Sequence, residues 1–94
     1  MITIHVRYHN ILQRGAGTAC ETVELPDGAS LAEALRHLAD QHGAPLREML
    51  LGSDGNIASY LVIFRNGQLI GQQQHQLPLA NDDELMLFLA ISGG

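Results

Sequence analysis

The chain has 94 residues, 46% of them hydrophobic and 16% charged, with a net charge of −5 at neutral pH. That size makes one domain around one core, and that balance makes a folded chain, not a disordered one. The excess of acid opposes phosphate backbones and sets nucleic acid aside as a partner. The apolar runs at 60–64 and 85–91 fall far short of the ~20 residues a membrane span needs.

Residues 2–8 place Ile2, Ile4, Val6 and Tyr8 on one face and Thr3, His5 and Arg7 on the other. This period of two predicts a half-buried strand, and it leaves no continuous apolar stretch for a signal peptide. Gln13-Arg-Gly-Ala-Gly-Thr reads as a glycine-rich turn. Residues 20–25 form a second strand with Val23 and Leu25 inward, so the two strands make a hairpin. Cys20, the single cysteine, excludes a disulfide within the chain and cysteine-ligated clusters; a cytoplasmic location is expected.

After Pro26-Asp27-Gly28, Ser30-Leu-Ala-Glu33 fits a capping box, in which the serine hydroxyl and the glutamate satisfy each other's backbone amides. Leu31, Ala34, Leu35, Leu38 and His42 follow at helical spacing, and Gly43 with Pro45 ends the helix. One helical turn is expected at 46–51 and a loop at 53–56. A strand at 60–65 leads into Asn66-Gly67, the signature of a type I′ turn, and a short return strand at 68–71. Gln72-Gln-Gln-His-Gln is expected to be a solvated loop. Asn81-Asp-Asp turns the chain into a last strand, 84–91.

Strand, strand, helix, strand, short strand, strand is an α+β order, with the helix laid over one sheet face. The last strand is a continuous apolar run, which suits the middle of the sheet, between the first and third strands, better than an edge. The expected fold is the ubiquitin-like β-grasp: a mixed sheet of four to five strands with one main helix across it. It occupies residues 1–91, with 92–94 as a flexible Ser-Gly-Gly tail.

Three stretches together resemble the MoaD/ThiS group of ubiquitin-like sulfur carriers: Leu-Pro-Asp-Gly before the capped helix, Phe64-Arg-Asn-Gly before the return strand, and the closing Asp-Asp-Glu-Leu-x-Leu-Phe-x-x-x-Ser-Gly-Gly. The resemblance spans essentially the whole chain, and its most specific part is the glycine pair directly after the last strand. Many relatives carry two prolines where this chain has Leu89-Ala90. The resemblance implies a protein co-substrate and not an enzyme. Its terminal carboxylate, here Gly94, would be adenylated by a ubiquitin-activating-type adenylyltransferase (MoeB/ThiF-like) using ATP. A sulfur source would then convert it to a thiocarboxylate for a downstream sulfur-accepting synthase, and Gly93 would be the flexible residue before it. By the same resemblance the chain could be the small subunit of a molybdopterin-synthase-like complex. No cofactor of its own is implied.

The chemistry of those residues agrees. A carboxylate is a poor electrophile until joined to a leaving group such as AMP, and the activating partner must enclose that carbonyl while the domain stays outside. Three extended residues reach about 10 Å, and glycines keep such a thread narrow. Small residues at a terminus can also be simply frayed; the β-grasp context weighs against that.

In the last strand Leu85, Leu87 and Leu89 suit the helix side, which sends Met86 and Phe88 outward. In the neighbouring strand the charged Arg65 is taken to mark the outer face, which sends Leu61 and Ile63 outward too. Leu61, Ile63, Met86 and Phe88, with Ser92, then form the expected partner-binding surface beside the root of the tail. The five histidines do not suggest a metal site: His5 and His9 lie about 13 Å apart along a strand, and His37 and His42 fall on different sides of the helix. Arg14 with Gly15-Ala-Gly17 lacks the ending of a phosphate loop, and Cys20 reads as an incidental thiol.

Two other uses fit the same residues. A protein modifier would be joined through Gly94 to lysines on targets, and a passive β-grasp adaptor would use neither glycine. All five basic residues are arginines (Arg7, Arg14, Arg36, Arg47 and Arg65). With no lysine, the chain cannot form polymers through its own side chains, which tilts toward the carrier.

Overall fold

The computed structural model describes residues 1–90. The elements run β1 (Ile2–Tyr8), α1 (Ile11–Ala16), β2 (Cys20–Leu25), α2 (Leu31–His42), α3 (Leu46–Leu50), β3 (Leu61–Arg65), β4 (Gln68–Leu69), a single 3-10 turn (Gln72–Gln74) and β5 (Glu84–Leu89). The five strands form one sheet in the order β2-β1-β5-β3-β4. β5 lies parallel to β1 and antiparallel to β3, in the central position its apolar run implied. This is the expected α+β β-grasp, with α2 as the main helix.

The capping box forms as read: Glu33 N–H donates to the Ser30 hydroxyl, and Ser30 N–H donates to the Glu33 carboxylate, both at 3.1 Å. α2 then lays Leu31, Leu35 and Leu38 over Ile4, Val6, Leu85 and Leu87, and all of these are buried. Asn66 and Gly67 both take positive φ, the geometry the β3–β4 turn demands. At the last described residue, Ala90 N–H donates to the Tyr60 carbonyl at 2.9 Å. The expected strand end at Ile91 and the tail 92–94 lie outside the described residues.

Two expectations are corrected. The stretch read as a glycine-rich turn is α1, which opens after Asn10 at φ 57° and closes on Gly17 at φ 76°. Its Leu12 is fully buried, and a Cβ on Gly15 would stand 3.1 Å from the Met49 sulfur. A helix of six residues has little stability alone; here the Leu12 plug and the close approach to α3 hold it.

The second correction concerns the sheet faces. Leu61 and Ile63, expected outside, are in the core at 9% and 2% exposure. They pair with Leu89 and Leu87 across β3 and β5, so they share the helix-facing side. Arg65 is on that side as well, because its guanidinium reaches the buried carboxylate of Asp83 at 2.7 Å. Its charge therefore marks an ion pair at the end of the core, not the outer face.

Candidate functional site

The site has two parts: the C-terminal residues and the sheet face beside their root. Ser92, Gly93 and Gly94 lie outside the described residues, so only their point of departure is defined. β5 runs parallel to β1, and Leu87 stands level with Tyr8. The chain therefore leaves from the end of the sheet where β1 finishes. The Ala90–Tyr60 hydrogen bond anchors the backbone at that exit.

The face away from α2 is divided. On its β1 side it is charged, with Arg7 Nε 3.7 Å from Glu84 and His5 Nε2 3.3 Å from Asp82. On its β5–β3–β4 side it is apolar. Met86 and Phe88, as expected, are on this open face and half-buried. Their cross-strand partners are Phe64 and Val62, and Phe64 pairs in turn with Leu69, which is 64% exposed. Phe64 and Phe88 stack with centroids 5.8 Å apart and planes 17° from parallel. His9 meets Phe88 edge-on at 6.5 Å. An aromatic row thus crosses the sheet from His9 to Phe64, bounded by Leu69.

Val62, Phe64 and Leu69 take the places that Leu61 and Ile63 were expected to fill. Alternation alone did not decide between the odd and even residues of β3; the register does, because it sets Phe64 and Val62 opposite Met86 and Phe88 and antiparallel partners share a face.

Three polar groupings hold the frame. Asp83 accepts from Ala80 N–H at 2.8 Å, from the Asn66 side chain at 2.9 Å and from Arg65. Burial alone would raise its carboxyl, but these donors and the arginine charge outweigh it and hold it below the usual carboxylate range. Asn66 also accepts from Glu84 N–H, tying the β3–β4 turn to the start of β5. At the other end of the sheet, Glu21 accepts from the Tyr8 hydroxyl and meets His42 Nε2 at 2.6 Å. Burial and then the Glu21 carboxylate push the Tyr8 phenol far above its usual value. This knot pins the end of α2 to β1 and β2. The third is the Arg47–Asp40 pair at 2.6 Å, beside an open cleft of about 500 Å³ lined by Arg47, Leu51 and Tyr60.

These groups position and brace; they do not converge on a reaction centre. Among the described residues, no three His, Cys, Asp or Glu side chains stand together to hold a metal ion. No helix there is long and apolar enough to cross a membrane. Cys20 is exposed and free, and Arg14 is exposed on α1.

Comparison with known proteins returns one family model, described as ThiS family, which matches residues 6–94. No curated protein matches the chain. Several solved structures do. SAMP1 from Haloferax volcanii is 28% identical at a TM-score of 0.85, covering 98% of this chain and 99% of that one. A structure of the Haloferax volcanii small archaeal modifier protein 1 is 25% identical at 0.85, covering 97% and 100%. A protein described as a putative molybdopterin converting factor, subunit 1, from Pyrococcus furiosus is 20% identical at 0.78, covering 97% and 100%; that likeness is one of fold.

Proposed function

The chain belongs to the ThiS family, and from that membership we propose that it is a sulfur carrier with Gly94 as its reactive end. The family comprises small ubiquitin-like carriers that are not catalytic themselves and that work with activating and sulfur-accepting enzymes. In the proposed cycle the Gly94 carboxylate oxygen attacks the α-phosphorus of ATP on an activating enzyme. Pyrophosphate leaves and an acyl-adenylate forms. Hydrosulfide from the sulfur source then attacks the acyl carbon, the C–O bond to AMP breaks and AMP leaves, and loss of the proton leaves a thiocarboxylate.

The single observation that carries this reading is the family match running through residue 94. The structure supports it by where it sends the chain. The central strand of the sheet delivers Ala90 to one end of the molecule, beside the row of Phe88, Phe64 and His9. Four residues beyond Ala90 can extend about 14 Å. That length lets Gly94 enter a partner's ATP site while the domain is held outside by its apolar half-face, through Met86, Phe88, Phe64 and Val62. The direct test is removal of Gly93 and Gly94. ATP–pyrophosphate exchange with the cognate activating enzyme should vanish while thermal unfolding is unchanged, because every core residue the structure describes comes before the deleted pair in the chain. Continued adenylation of the shortened chain would refute the proposal.

A second reading has its own support. The 28%- and 25%-identical Haloferax volcanii structures are of an archaeal modifier protein. In that use Gly94 would be joined to lysines of other proteins, by attack of the lysine amine on the same acyl-adenylate.

A further inference from the structure

His9 is on the open face of the sheet for reasons of register. Tyr8 stands level with Leu87 on the neighbouring parallel strand, and His9 N–H donates to the Leu87 carbonyl at 3.0 Å. The next step along both strands sets His9 beside Phe88, and alternation turns both side chains away from α2. Directly afterwards Asn10 takes φ 57° and the chain turns into α1, so the His9 backbone is fixed on both sides. The imidazole is half-buried. Its Nε2 is the one buried side-chain nitrogen or oxygen among the described residues that has no hydrogen-bond partner. An unpaired buried polar atom forfeits its hydration, and a leucine would fill the same space without that loss. What the imidazole has in return is an aromatic partner.

That partner is Phe88. The two centroids are 6.5 Å apart and the planes 87° from parallel, so the edge of one ring meets the face of the other, an arrangement aromatic pairs favour. Toward β3, Phe88 stacks on Phe64 at 5.8 Å and 17°. Because β5 lies between β1 and β3, Phe88 is held between a perpendicular ring on one side and a near-parallel ring on the other. All three rings are half-buried on the face that α2 leaves open. A half-exposed aromatic side chain on a sheet keeps rotamer freedom, and a partner that docks on it loses affinity by removing that freedom. Resting on the carrier reading, we infer that His9 is a positioning residue: it fixes the Phe88 ring, and through it Phe64, in the orientation the activating enzyme receives. His9 acts through Phe88 and takes no part in the chemistry at the acyl carbon. The orphaned Nε2 is a loss to the fold that accompanies this order.

Two measurements on the full chain separate the role of His9 from the carrier reading. The first needs no enzyme. NMR should show His9 ring protons shifted by the Phe88 ring current, a shift that Phe88→Leu abolishes. It should also show a single Phe88 χ1 rotamer that becomes averaged in His9→Ala. The second is ATP–pyrophosphate exchange with the cognate activating enzyme. His9→Ala should raise KM for the carrier about three- to tenfold, the equivalent of ordering one or two side chains. Its kcat should be unchanged, because docking strengthens the ground and transition states alike. His9→Phe restores a ring that can stand edge-on and should return KM to within about twofold of the parent. In a Phe88→Leu background, His9→Ala should add less than about twofold, since the side chain it positions is gone. His9→Leu fills the space without an aromatic edge; it should behave as His9→Ala does, and takes its place if that variant is unstable. A His9 effect of full size in the Phe88→Leu background, or a Phe88 rotamer that stays fixed without the imidazole, would overturn the inference. Absence of exchange with the parent chain would count against the carrier reading, and the NMR result would then decide the role of His9 alone.

Discussion

The two faces of β5 carry side chains of similar hydrophobicity into different circumstances. Leu85 and Leu87 are fully buried under α2, while Met86 and Phe88, between and beyond them, are half-exposed on the open side. Nothing in the strand's composition separates them; the helix does, by covering one face only. The covered face makes the domain, and the uncovered one is left with an aromatic row at the end from which the chain departs. A strand with one alternating set of residues can therefore serve stability and recognition separately, and substitutions on its two faces should have separable consequences.

The largest effect should come from the covered face. Leu87→Ala removes a fully buried side chain at the centre of the core and should lower unfolding free energy by about 2–5 kcal/mol, read by denaturant titration. A loss much below 1 kcal/mol would mean that this face is not the one that holds the fold. Phe88→Asp should do the reverse. The domain should stay folded, and affinity for the activating enzyme should fall roughly ten- to a hundredfold, equivalent to about 1.5–3 kcal/mol. A Phe88→Asp protein that fails to fold would erase the distinction between the faces.

A smaller effect tests the seam between them. Asp83 holds Arg65 toward the core side, and its carboxyl is depressed below the ordinary value of about 3.9. A depressed carboxyl contributes stability that is present above the unfolded-state pKa and lost as pH falls through the folded one. Stability should therefore decline below about pH 4, and Asp83→Asn should flatten that part of the acid limb at a cost of about 1–2 kcal/mol at neutral pH. An unchanged acid limb in the variant would show that the Asp83 network does not contribute to the fold.

Most of the fold was legible because its signals are local. The alternation of β1, the Ser30–Glu33 box, the Asn66-Gly67 turn and the apolar run of β5 each act within a few residues, and together they imply the sheet order. What escaped depends on partners distant in sequence. α1 is held by burial of Leu12 and by Met49 against Gly15, which no short-range pattern announces. Arg65 was misread because its partner Asp83 is 18 residues away, and parity then carried the error to Leu61 and Ile63. The Tyr8–Glu21–His42 knot likewise joins residues 13 and 21 apart. Of the candidate site, Met86 and Phe88 were readable from alternation, whereas Val62, Phe64 and Leu69 needed the register. Gly93 and Gly94, expected from the sequence, lie outside the described residues, and the structure gives only the place from which the chain sets out toward them.

The central claim is that sulfur is carried on Gly94, and one measurement addresses it directly. The protein with Cys20→Ser, incubated with its activating enzyme, ATP and a sulfur source, is analysed by intact mass and by C-terminal peptide fragmentation. The account predicts replacement of one terminal oxygen by sulfur, located at Gly94 and labelled by a thiol-reactive probe. Isopeptide bonds from Gly94 to lysines of other proteins in cell extract, with no thiocarboxylate under any of these conditions, would contradict it and establish the modifier reading in its place.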